Sequence, residues 1–310
     1  MTAFGKTIQV SAIAAAIGLA GVSTTSGATF TEGFESFPAG NMSQSTFNAS
    51  SNRALDMLST DQVTISGVGM QSGRSVFVRG GAVYGGGELS PTPTVAQFSM
   101  VGGIEIVSSS NVVRWDTQGG GMGFGYNNGT SNVSAWNGGS SNVTISLVKT
   151  SNGYFTATGP NLDGSDPLPN EPVLFRLGHA RNTSNNAGAY TLFGDAAVAL
   201  EKGHWYQLVG TLSFLGYDEG AGMSSFSTEV ALYDLGEEGS ESANGPLTAI
   251  LTGSTTFSYA GDWSNARPIF YAKDDRGFNQ LDNLTYVPEP AALSLLGLGG
   301  LLALRRRARA

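Results

Sequence analysis

The chain has 310 residues, room for one large all-β domain or two small ones, and its 13% charged residues beside 44 glycines make it poor in helix formers and rich in turn formers. It holds no cysteine, which excludes a disulfide framework, thiol catalysis and thiolate metal sites. The formal net charge is −8; with Lys6, the four C-terminal arginines and Glu289 set aside, residues 29–287 hold 11 bases against 23 acids, about −12, which argues against nucleic acid as a partner because that affinity rests on neutralising phosphates.

Residues 1–28 have the three parts of a secretory signal: Lys6 in a short basic region, the apolar stretch Val10 to Val22, and Ser26-Gly27-Ala28 as a small-residue cleavage site. This predicts a signal helix handled by the Sec translocon and signal peptidase, cut at Ala28, with the mature protein starting near Thr29. An N-terminal helix that stays attached fits less well, since a Ser/Thr/Gly patch and then strand-like sequence follow at once. An exported chain of this size without cysteine points to a bacterial envelope.

The body opens with an aromatic strand over Thr29 to Asn41, ending in the turn Pro38-Ala39-Gly40-Asn41. Short β-branched and aromatic segments then recur between turn signals. They are Gln62 to Val68, Ser75 to Tyr84, Val95 to Val101, Ile104 to Val107, Asn111 to Trp115, Val143 to Lys149, Tyr154 to Ala157 and Val173 to Leu177, followed by Tyr190 to Phe193, His204 to Phe214, Phe226 to Leu235, Thr255 to Tyr259, Arg267 to Ala272 and Asn283 to Val287. About fourteen strands at this spacing predict an all-β, two-sheet jelly-roll sandwich. The best helical candidate in the body is Asp195 to Lys202, one or two turns at most.

His204 to Phe214 is the most informative segment: Tyr206, Leu208, Gly210, Leu212 and Phe214 share one apolar face, while Trp205, Gln207, Val209, Thr211 and Ser213 share the other. Phe226 to Leu235 repeats the alternation, so the two are expected to pair antiparallel across a loop from Gly216 to Ser225. Two stretches read as irregular excursions: Gly119 to Ser141, rich in Gly and Asn, and Gly159 to Pro172.

The chain closes on Pro288-Glu289-Pro290, an uncharged apolar run of 14 residues from Ala291 to Leu304, and then Arg305, Arg306, Arg307 and Arg309. The run is shorter than the roughly 20 residues of a comfortable bilayer span, and the arginines would hold its end on the cytoplasmic side. Triplet, run and basic cluster, in that order and beside an export signal, resemble the PEP-CTERM sorting domain. The resemblance covers Val287 to Ala310. It implies a short C-terminal transmembrane helix that crosses the membrane in transit, processing by an exosortase, and delivery to the cell surface or extracellular matrix. One departure is that the run is short and holds Gly297, Gly299 and Gly300, so neighbouring residues or arginine snorkelling would complete the crossing.

The body, residues 29–286, resembles the concanavalin A-like (laminin-G-like) jelly rolls. The carrying residues are Glu32 to Gly40, the strand His204 to Leu208 and the closing strand Gln280 to Tyr286. In that family the first and last strands lie side by side. This would bring Glu32 or Glu35 near Asp282 and Asn283, an oxygen set suited to a structural calcium; the alternative is that Asp282-Asn283 closes a turn.

Catalytic patterns are thin. The two histidines, His179 and His204, lie far apart and no Gly-x-Ser-x-Gly elbow occurs, so both read as structural. Jelly-roll glucanases of the resembled class place their acids on one strand as Glu-x-Asp-x-x-Glu, which is absent, and the adjacent pairs Glu237-Glu238 and Asp274-Asp275 point to opposite faces of a strand. In the Gly119 to Ser141 stretch, Tyr126 or Trp136 could stack on a sugar, or pin the loop to the sheet. The expectation is therefore a non-enzymatic, exported surface or matrix protein with a structural or adhesive role; the alternatives are a lectin-like module for extracellular polysaccharide and, last, a polysaccharide-cleaving enzyme.

Overall fold

The computed structural model describes residues 30–43, 55–58, 63–66, 73, 75–78, 81–85, 95–104, 121–125, 142–150, 172–178, 190–237, 248–264, 266–272 and 278–288. In chain order they form β1 (Phe30–Glu32), β2 (Gly40–Met42), β3 (Leu55–Leu58), β4 (Val63–Ser66), β5 (Ser75–Val78), β6 (Gly81–Gly85), β7 (Val95–Ile104) and β8 (Gly121–Gly125). These are followed by β9 (Asn142–Lys149), β10 (Val173–Gly178), β11 (Tyr190–Val198), β12 (His204–Asp218), β13 (Met223–Glu237), β14 (Leu251–Ala260), β15 (Arg267–Ala272) and β16 (Phe278–Pro288). No helix occurs among the described residues.

The strands make two antiparallel sheets. One has nine strands in the order β14-β13-β12-β7-β16-β5-β4-β2, with β1 also on β16; the other has seven, β11-β10-β9-β8-β15-β6-β3. The result is an all-β sandwich, consistent with a jelly roll. Its centre is aromatic: Phe98 of β7 meets Phe124 of β8 and Phe270 of β15 across the sheets, edge to face, with ring centroids 5.5 and 5.9 Å apart.

The alternation in β12 has the predicted effect, with Tyr206, Leu208 and Leu212 buried in the core. Trp205 differs. Alternation assigns it to the polar face, yet it is fully buried, beside a register shift against β13 between Trp205 and Tyr206. The β12–β13 hairpin is also tighter than a loop from Gly216 to Ser225. Both strands run on to Asp218 and Met223, and Asp218 Oδ1 accepts the N–H groups of Gly220 and Ala221 at 2.9 and 3.1 Å to close the turn.

Three other expectations are corrected. Ser75 to Tyr84 is two strands in different sheets, β5 and β6. Asp195 to Lys202 is not helical: its first four residues end β11, where Val198 pairs with Val173 of β10. The Gly119 to Ser141 stretch contains β8, a central strand with all five residues buried. Its glycines serve close approach, since a Cβ on Gly123 would collide with the carbonyl oxygen of Val143 in β9 and lie 2.8 Å from the Cα of Thr144.

Candidate functional site

One predicted site region and one of the two histidines fall among the described residues. The first is the junction of the opening and closing strands. β1 lies against β16, with Glu32 opposite Leu284. Beyond Glu32 the chain turns sharply: Phe34 has φ 62°, Glu32 Oε1 accepts its N–H at 2.6 Å, and the Phe37 N–H donates to the Phe34 carbonyl at 3.1 Å. Both rings are buried, 6.1 Å apart, and pin the turn to the core.

Facing this turn, β16 carries a bulge between Asp282 and Thr285 against β7. Asn283 there has φ 46°, and Asp282 Oδ1 accepts the Asn283 N–H at 2.7 Å. Phe34 and Asn283 are the described non-glycine residues with positive φ, and both sit at this one junction. Gly33 measures the approach: a Cβ on it would lie 3.0 Å from Asn283 Oδ1 and 3.8 Å from Asp282 Oδ1.

The structure thus brings Glu32 to the same turn that faces Asp282 and Asn283, while Glu35 is exposed. The oxygens are of the kind a hard cation takes. One oxygen of Glu32 and one of Asp282 already accept backbone N–H groups within the junction. Among the described residues no group of three or more His, Asp or Glu side chains is placed to hold a metal ion.

The second region surrounds His204. Its Nδ1 lies 3.0 and 3.1 Å from the two carboxylate oxygens of Asp234, and its Nε2 lies 3.5 Å from Glu201 Oε2. Asp234 Oδ1 also accepts the Gly236 N–H at 2.8 Å, and the Tyr206 hydroxyl accepts the Glu201 N–H at 2.8 Å. Burial, with the carboxylates of Asp234 and Glu201 adding, holds the Tyr206 phenol far above its ordinary range, so it stays protonated. Through this ring Asp234 ties the end of β13 to the start of β12, and Glu201, just before β12, flanks its other nitrogen.

Tyr126 and Trp136, His179, the cleavage site at Ala28 and the segment from Glu289 through Pro290 to Arg305, Arg306, Arg307 and Arg309 lie outside the described residues. Pro288 lies inside them and ends β16. Among the described residues no helix is long and apolar enough to cross a membrane.

A third feature was not anticipated. Where the edges of the two sheets meet, Tyr190 and Thr191 of β11, Leu215 of β12, Ser225 of β13 and Thr256 and Ser258 of β14 line an open groove of about 430 Å³. Buried Phe226 and Phe257 also reach its lining, and Tyr190 and Leu215 are its exposed apolar members. An unexplained exposed Leu at a strand end is a weak signal in sequence, and the meeting of four strands from two sheets leaves none.

No family model matches the chain, and no curated protein matches it. Among solved structures it is similar to the PL-14 alginate lyase from Aplysia kurodai, at 11% identity over 85% of this chain and 100% of that one, with a TM-score of 0.36. It is also similar to the exoplasmic/lumenal domain of VIP36 in its Ca2+/Man3GlcNAc-bound form, at 10% identity over 77% and 85% of the two chains, TM-score 0.35. The globular domain of T. cruzi calreticulin aligns at 10% identity over 89% and 95%, TM-score 0.28. Similarities at this level assign no activity to the chain.

Proposed function

We propose that the chain is exported cargo of a bacterial envelope, a non-enzymatic, concanavalin A-like sandwich with a structural or adhesive role at the cell surface or in the extracellular matrix. Its C-terminal PEP-CTERM segment routes it there through an exosortase. The observation that supports this reading most directly is the order of Pro288-Glu289-Pro290, the uncharged run Ala291 to Leu304 and Arg305, Arg306, Arg307 and Arg309, beside an N-terminal export signal; the body reaches the start of that segment in strand. β16 lies between β7 and β5 within the larger sheet and runs on through Val287 and Pro288, opposite Gln97 and Ala96. The first proline of the triplet, Pro288, is thus the last residue of β16.

The Glu32, Asp282 and Asn283 junction is read as closed by its own hydrogen bonds. A structural calcium on those oxygens is the competing reading. Sorting is tested by fractionating the native host carrying either the whole chain or a chain ending at Pro288. Surface delivery of the whole chain alone is the expected outcome; identical distribution of the two would overturn it.

A further inference from the structure

We propose that the groove between the sheet edges is a binding subsite for an uncharged saccharide chain, a proposal that rests on the adhesive reading above and names what the surface adheres to. The groove has the size of a ligand site, about 430 Å³. It holds the two components that sugar recognition needs, an oriented aromatic ring and a field of hydroxyls.

The ring is Tyr190, which is 41% exposed. The guanidinium of Arg176 lies over it, 4.8 Å from the centroid, and Arg176 is itself buried at 1% exposure. A cation–π contact to a buried partner fixes the orientation of the ring. An oriented ring loses little entropy when the apolar C–H face of a pyranose stacks on it. Leu215, at the register shift in β12 and 58% exposed, supplies a second apolar wall.

The hydroxyls come from facing strands. Ser225 and Ser258 are directly opposed between β13 and β14, with their Oγ atoms 3.0 Å apart. Each retains capacity for a further hydrogen bond, and Thr191 and Thr256 add two more hydroxyl residues to the lining. Charge selects the class of sugar. No lining residue is charged and the guanidinium of Arg176 is buried against Tyr190, so the groove offers the carboxylates of a polyanionic glycan no exposed cation to pair with, which a neutral glycan does not need.

The test is affinity electrophoresis of the purified full chain through gels containing dextran or laminarin as neutral probes and alginate or polygalacturonate as acidic ones. Retardation by at least one neutral polysaccharide and by neither acidic one is expected. Tyr190→Ala should weaken binding about tenfold, and Tyr190→Phe, which keeps the ring, should stay within about twofold of the parent. Leu215→Asp, at an exposed position, gives a second route to the same loss with an unchanged melting temperature. No retardation by either neutral probe, preference for an acidic probe, or full binding by Tyr190→Ala would each overturn the proposal. So would concentration-dependent dimerisation abolished by Tyr190→Ala, since a second copy would then occupy the groove. Binding is measured on isolated protein, so its failure leaves the sorting proposal standing, and mislocalisation in the host leaves the binding result standing.

Discussion

Asp195 of β11 holds Thr252 of β14 by two hydrogen bonds, Oδ1 accepting the backbone N–H at 3.0 Å and Oδ2 accepting the hydroxyl at 2.8 Å. The two strands are the edges of different sheets and share no ladder. A side chain thus takes the place that a neighbouring strand would fill. Beside it, a Cβ on Gly253 would lie 2.8 Å from Phe193 Cδ2 and 3.1 Å from the Gly194 Cα, so the backbones meet closely. Two sheet edges that would otherwise be open to another chain cover each other here.

This contact predicts an acid dependence. The Thr252 bonds, backbone first, hold the Asp195 carboxyl below its ordinary value of 3.8. A group more acidic in the folded state stabilises fully above its unfolded value, and that stability is lost as pH falls through the folded one. Asp195→Asn should therefore flatten the loss of thermal stability that sets in as pH falls below about 4. Asp195→Ala should cost on the order of 1 kcal/mol at neutral pH, reduced by solvent at so exposed a site. Melting curves across pH measure both, and an unchanged acid slope in Asp195→Asn would contradict the assignment.

Gly123→Ala tests the packing of β8. With no room for a Cβ against β9, the substitution should destabilise the sandwich by about 1–3 kcal/mol in denaturant unfolding. A neutral result would mean that the two strands do not approach as described.

At the β1–β16 junction, Asn283 occupies a left-handed backbone position. Asn283→Gly should be close to neutral, whereas Asn283→Val should cost about 1–3 kcal/mol through backbone strain. Melting temperatures in calcium and in EDTA should coincide, because the junction's own hydrogen bonds close it. A rise of several degrees with calcium that Asp282→Asn removes would assign the oxygens to the cation instead.

Alternation made β12 and β13 legible in the sequence, because a period of two over His204 to Phe214 leaves one face almost wholly apolar. The side-by-side placement of the first and last strands follows the concanavalin A-like resemblance and is present as β1 on β16. Local signals failed where a residue's reason lies in a distant strand. The glycines around Gly123 look like loop residues until β9 is placed against them. Asp195-Ala196-Ala197-Val198 has the composition of a helix start, yet Thr252, 57 positions away, holds the aspartate and Val173 pairs with the valine. Ser75 to Tyr84 does carry a local mark, Arg79-Gly80-Gly81 where β5 gives way to β6, but a turn signal does not say that the next strand joins the other sheet. The groove draws residues from 190 to 258, and only the register of the strands assembles it.

Mass spectrometry of the C-terminus of surface-localised protein from the native host addresses the sorting proposal most directly. A chain that ends before Ala310, with Arg305, Arg306, Arg307 and Arg309 removed, is the predicted result. Surface protein that retains the intact terminus through Ala310 would contradict it.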